Sequence, residues 1–162
     1  MGNTLGEREG KIMLPIKSIT CPTDFSEPSF HALKTACDLA VHFGAEMCLV
    51  HVVPSVPPLP ADPNYAFFGV EQYEQALQTD AEQKLAEIIE QRIPKEVKAR
   101  SVFRRGDAAN EIVAAAKDEG AQLIVISTHG HTGWRHLVFG SVAERVVRMA
   151  ECPVLTIHPP RH

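Results

Sequence analysis

The sequence predicts an α/β fold, an open five-stranded parallel sheet with helices on both faces. Three observations lead there. Strand-like and helix-like segments alternate along the whole body of the chain. Leu123-Ile124-Val125-Ile126 is a continuous apolar run, as expected of a parallel strand buried on both faces. The 162 residues are 44% hydrophobic and 22% charged, enough for one domain with its own core. Such alternation implies right-handed crossovers that place helices on either side of the sheet. Residues 1–14 read as an N-terminal extension and 15–162 as a single domain.

Ile16 to Thr20 reads as the first strand, with Cys21-Pro22 as its breaker. Phe30, Leu33, Cys37, Ala40 and Val41 recur at helical spacing, with Ser26 as N-cap, Pro28 in the first turn and Gly44 as the stop. Met47 to Val53 is β-branched and apolar, a buried strand. Five prolines between Pro54 and Pro63 remove amide donors, so that stretch is a loop, with Tyr65, Phe67 and Phe68 packing behind it. Val70 to Arg92 is a longer helix with Val70, Tyr73, Leu77, Ala81, Leu85 and Ile88 inward, ended by Pro94. Val97 to Phe103 alternates as a strand. Asp107 then caps a helix with Ile112, Val113 and Ala116 inward and Gly120 at its end. Ser141 to Met149 is the fourth helix, and Pro153 to Ile157 the last strand before Pro159-Pro160.

Composition excludes several classes. Sixteen basic against twenty acidic residues give a net charge of −4, which argues against a general nucleic-acid binder. No apolar run reaches the roughly 18 residues of a membrane span. The first fifteen residues carry Glu7, Arg8, Glu9 and Lys11 and no apolar core of a secretory signal. Cys21, Cys37, Cys48 and Cys152 are spread without CxxC spacing, so a reducing cytoplasm is the expected compartment. There is no G-x-x-x-x-G-K-[ST] phosphate loop, no G-x-S-x-G elbow and no G-x-G-x-x-G in the first strand-to-helix turn.

Ligands of open parallel sheets bind outside the carboxyl ends of the strands, where the strand order reverses. That directs attention to Cys21–Ser26, His51–Pro54, Arg104–Asp107 and Ser127–Val142. The last segment is the most informative. Gly130 and Gly133 allow sharp turns and close backbone approach to a ligand. Gly140-Ser141 opens a helix, and Ser141 with Glu144 has the spacing of a capping box. A helix N-terminus offers unpaired amides and the positive end of its dipole, which suits a phosphate. The same residues also fit plain turns and a cap. His129, His131 and His136 have H-x-H spacing, but no neighbouring carboxylate or Cys completes a metal set. His51, inside an apolar strand, reads as a hydrogen-bonded core histidine, and Cys21 as a buried, inert thiol.

Together, Pro22-Thr23-Asp24-Phe25-Ser26, Leu49-Val50-His51-Val52, Gly106-Asp107, Gly130 to Glu144 and Cys152-Pro153-Val154-Leu155 resemble the ATP-binding branch of the universal stress protein family. The resemblance runs from Lys17 to Ile157. Of the family's G-x2-G-x9-G-[S/T] signature, Gly130 and Gly140-Ser141 are present and Ser127 stands at the first glycine. The resemblance implies strand order 3-2-1-4-5 in a Rossmann-like sheet of the adenine nucleotide alpha hydrolase type. It implies Pro22, Thr23 and Asp24 beside adenine and ribose, and Val52 as a backbone contact to the base. Ile126 and Ser127 would line base and ribose, while Gly130, Gly140, Ser141 and Val142 hold the phosphates. Gly133 joins this set as a close-approach glycine. It further implies ATP as ligand, with Mg²⁺ or Mn²⁺ as a companion ion, and a homodimer through Val154–Ile157. The expected role is a stress-linked regulatory module with at most slow hydrolysis. The alternatives are a family member working only through protein contacts, and a nucleotide hydrolase or adenylating enzyme on the same fold.

Overall fold

The computed structural model describes residues 14–55, 70–129 and 140–158. The elements are β1 (Ser18–Pro22), α1 (Glu27–Phe43), β2 (Glu46–Val53), α2 (Val70–Arg92), β3 (Ala99–Arg105), α3 (Ala108–Asp118), β4 (Leu123–Ser127), α4 (Ser141–Met149) and β5 (Val154–Ile157). The five strands form one parallel sheet in the order β3-β2-β1-β4-β5, as the resemblance implied.

Alternation along each strand divides the core into two layers. Ile19, Cys21, Met47, Leu49, Leu123 and Val125 pack against α1 and the Leu85–Ile88 turn of α2. Ile124 and Ile126 face the other way, against Ile112 and Ala116 of α3 and Ala143 and Val146 of α4. Every residue of β4 is therefore buried, the reason Leu123 to Ile126 are apolar without interruption. Among the described residues no helix is long and apolar enough to cross a membrane.

Helix ends follow the local signals. Ser26 caps α1 through its side chain, and Gly44 closes it at φ 62°, a left-handed conformation that glycine adopts without a Cβ penalty. Asp107 caps α3, accepting from the Asn110 amide at 3.0 Å. Five expectations need correction. Val41 and Tyr73 lie outward, 45% and 58% exposed, because each stands at the margin of an otherwise apolar face. The first and third strands lie two residues later than their apolar runs. Pro22 belongs to β1 as its last residue, paired with Val50, and Ile16 is buried ahead of the strand. The fifth correction concerns Ser141 and appears below.

The sheet opens at one place. β1 and β2 stay paired to Pro22–Val50, whereas β1 and β4 pair only at Ile19–Leu123 and Thr20–Ile124. Beyond Thr20 the two central strands separate, and this is the point where the chain order reverses. The two sheet edges also differ. β3 and the residue before it carry Lys98, Arg100, Arg104 and Arg105, each ion-paired to a carboxylate of a neighbouring element. β5 is Val154-Leu155-Thr156-Ile157 and, among the described residues, pairs on one side only, with β4.

Candidate functional site

The opening between β1 and β4 leads into a cavity of about 270 Å³ at the carboxyl ends of the strands. Its wall is built from Pro22, Thr23 and Asp24 after β1, Val50 and Val52 of β2, and Ile126 and Ser127 of β4. Ala108 and Ile112 of α3 and Gly140, Ser141 and Val142 at the start of α4 close it. The nine sequence-selected residues that lie among the described ones, Pro22, Thr23, Asp24, Val52, Ile126, Ser127, Gly140, Ser141 and Val142, thus line one cavity. Gly130 and Gly133 lie outside the described residues, as do His131, His136, Tyr65, Phe67 and Phe68. Thr128 and His129, within the segment the topology points to, also line the cavity, as do Ser29, Val50, Ala108, Ile112 and Ala143, which no sequence signal assigned to a site role.

The turn after β1 is braced by its own side chains. The Thr23 amide continues the pairing onto the Val50 carbonyl at 2.8 Å. Thr23 Oγ1 accepts from the Phe25 amide at 3.1 Å, and Asp24 Oδ1 accepts from the Ser26 amide at 3.0 Å. Between them Phe25 sits at φ 65°, an uncommon conformation for a bulky residue and one that needs such bracing. Phe25 stacks on His51 with ring centroids 4.2 Å apart.

His51 Nδ1 lies 2.8 Å from the Thr23 carbonyl oxygen, and the neutral ring donates there. Burial holds its pKa below the ordinary 6.5, against the opposing pull of that hydrogen bond and of the Asp24 charge. A depressed folded pKa means that the unfolded chain takes the proton first as pH falls. The contribution of His51 is therefore complete above pH 6.5 and is lost progressively below it. A His51→Gln variant should lose less of its denaturation midpoint than the parent between pH 7 and pH 5.5. Parallel pH profiles would remove His51 from this role.

Three helices turn their first residues toward the cavity, and their ends are not alike. α1 is capped by Ser26 and α3 by Asp107. The N-cap of α4 is Gly140, with no side-chain cap hydrogen bond. Ser141 is therefore the first helical residue and not the cap, and the capping-box expectation fails by one position. The N-cap must be extended, and Gly140 takes that conformation at φ −71° and ψ 149°. The α4 end is fixed instead through the backbone, where the Gly140 amide donates to the Thr128 carbonyl at 2.7 Å. Thr128 is fully buried, and its hydroxyl lies 2.9 Å from Nδ1 of both His129 and His158, joining the ends of β4 and β5. Ser127 turns its hydroxyl to accept from the His129 amide at 3.3 Å.

A larger cavity, about 440 Å³, opens at the opposite end of the strands around Ala116, Ala121, Ile124, Ala150 and Cys152. The helix ends there are the carboxyl ends of α3 and α4, whose partial charge repels anions. The smaller cavity therefore faces the positive ends of helix dipoles and the larger their negative ends. Cys21 is fully buried under the first turn, and burial pushes its thiol far up, so it stays protonated. Among the described residues no group of three or more His, Cys, Asp or Glu is arranged to hold a metal ion.

Comparison with known proteins bears on the same architecture. The model of the universal stress protein family matches residues 15–158. A universal stress protein of Methanocaldococcus jannaschii is 36% identical over 147 residues, covering 90% of this chain and 84% of the relative. A second one from that organism is 30% identical over 152 residues. Its solved structure superposes with a TM-score of 0.73 at 28% identity, covering 91% of this chain and 99% of that one. A universal stress protein from Archaeoglobus fulgidus, solved in complex with dAMP, superposes with a TM-score of 0.57 at 23% identity over 88% of this chain and 97% of that one. By family match, identity and topology together, the chain belongs to the universal stress protein family.

Proposed function

We propose that the cavity binds an adenine nucleotide, ATP, and that the protein acts as a nucleotide-dependent regulatory module with at most slow hydrolysis. The observation that carries this reading is the uncapped α4 N-terminus. Its amides and dipole face a cavity whose other helix ends are already capped by side chains. In this reading Pro22, Thr23, Asp24, Val52, Ile126 and Ser127 enclose base and ribose. The phosphates run along Gly140, Ser141 and Val142, and Gly130 and Gly133 contribute from outside the described residues. The dAMP complex of the Archaeoglobus relative supports the ligand class. Mg²⁺ or Mn²⁺ would accompany the phosphates and neutralise their charge. The four unpaired thiols support a reducing, cytoplasmic setting. A homodimer through β5 completes the reading.

Because Ser141 is not the cap, its hydroxyl is tested cleanly. Ser141→Ala should weaken ATP by about ten- to hundredfold in calorimetric titration, the worth of a hydrogen bond to a charged group. Its unfolding midpoint should stay at the parental value. ATP at about 100 times its dissociation constant should stabilise the parent by about 2.7 kcal/mol. No adenine nucleotide binding, with or without Mg²⁺, would leave protein contacts as the function.

A further inference from the structure

One ion pair spans the two helix N-termini that close the cavity. Asp107 caps α3 and also takes both terminal nitrogens of Arg145 from α4, at 2.8 and 2.9 Å. Arg145 further approaches Asn110 Oδ1 at 3.4 Å. Helical side chains lean toward the N-terminus, so Arg145 reaches back along the first turn of α4, the turn that lines the cavity. Asp107 immediately precedes Ala108, another lining residue. The guanidinium holds the Asp107 carboxyl below its ordinary range, so Asp107 stays charged at neutral pH.

Among the described residues the surrounding charge is mostly negative. Glu111 lies in the first turn of α3 and Glu144 in that of α4. Asp24 is in the cavity wall. Arg105, at the end of β3, is held by Glu74 at 2.6 Å, and Arg148 pairs with Glu144 at 3.6 Å. Among the described residues, Arg145 is the one basic side chain in the first two turns of α3 and α4. A phosphate chain at the α4 N-terminus would meet repulsion that grows with each phosphate, unless the nearest carboxylates are compensated.

We propose that Arg145 is a positioning residue that sets how much phosphate charge the site accepts, by cancelling Asp107 at the mouth of the cavity. The proposal rests on the nucleotide reading given above. Its signature is a graded effect: large for ATP, smaller for ADP and AMP, and absent for adenosine. A pair that serves only as a strap between α3 and α4 behaves differently. Breaking it from either side would then weaken every ligand alike.

The experiment is calorimetric titration of ATP, ADP, AMP and adenosine into the parent, Arg145→Met, Asp107→Asn and the double variant, at about 50 mM salt to limit screening. Asn retains the capping function of Asp107. Arg145→Met should weaken ATP at least tenfold and AMP about twofold to threefold, and leave adenosine unchanged. The double variant should return ATP to within about threefold of the parent, because the uncompensated carboxylate is gone. Equal losses across the four ligands, or a double variant as weak as Arg145→Met, would overturn the proposal. So would an Arg145→Met variant that binds ATP like the parent, in which case the nucleotide reading survives. A parent that binds none of the four overturns both. Unfolding midpoints of the same variants detect any that fail to fold.

Discussion

Gly140→Ala should lower stability by about 1–3 kcal/mol and cut ATP affinity more than tenfold, although Ala is the better helix former. The reason is space, not conformation. Gly140 has an ordinary φ of −71°, but a Cβ built on it would stand 2.8 Å from the Thr128 carbonyl oxygen. That oxygen is backbone, at the end of a fully buried strand, and cannot swing away as a side-chain tip would. It also accepts the Gly140 amide at 2.7 Å, so the added methyl breaks the contact that seats α4 on β4. The amides of Ser141 and Val142 move with it. Gly140→Ser should fail in the same way, although Ser is a preferred N-cap residue elsewhere. Ser141→Ala, by contrast, should lose affinity without stability. Denaturant unfolding and ATP titration on the three variants separate these effects. Parental affinity in Gly140→Ala would mean that the close approach to Thr128 does not position the ligand's amides.

Leu155→Asp should convert a dimer into monomers at micromolar concentration, raising the dimer dissociation constant more than a hundredfold. Leu155 lies on the open edge of β5 and is 37% exposed, and Val147 and Met149 of the neighbouring α4 are 46% and 38% exposed. An edge strand of this composition presents free backbone groups and apolar side chains to another strand. Two-fold pairing brings each substituted carboxylate against its symmetry mate, and like charges at an interface cost several kcal/mol. Because Leu155 is partly exposed in the monomer, the unfolding midpoint of the monomeric variant should change little. Light scattering of the parent at tens of micromolar checks the premise, and a monomeric mass there would overturn it.

Much of this architecture is legible in the sequence because its signals are local. Ser26, Gly44 and Asp107 mark helix ends through residue chemistry alone, and α2 and α4 have the bounds that periodicity gives. The strands β1 and β3 are shifted because an apolar run reports burial, whereas a strand is defined by pairing. Ile16 is buried without pairing. Pro22 pairs because it needs no amide where β4 has already turned away. The capping box fails for a related reason: its spacing fits Ser141, but the extended N-cap conformation falls on Gly140. Most of the cavity was legible because topology sends it to the carboxyl ends of the strands and the resemblance supplied positions. The rest depends on tertiary approach. Asp107 and Arg145 are 38 residues apart in the chain. Thr128 gathers His129 and His158 only because β4 and β5 end side by side. Ala108 and Ile112 carry no chemistry that sequence could single out.

For the proposed dimer, the unequal edges of the sheet would set where assembly stops. A sheet with two receptive edges can add copies head to tail without limit, as open filaments do. Here the β3 edge is studded with Lys98, Arg100, Arg104 and Arg105, each held by a neighbouring carboxylate, and it offers another strand a poor match. A chain that joins at β5 therefore presents its own charged edge to the outside. In the proposed dimer, association through β5 would be isologous and close at two, with polymerisation blocked by the far side of the same sheet.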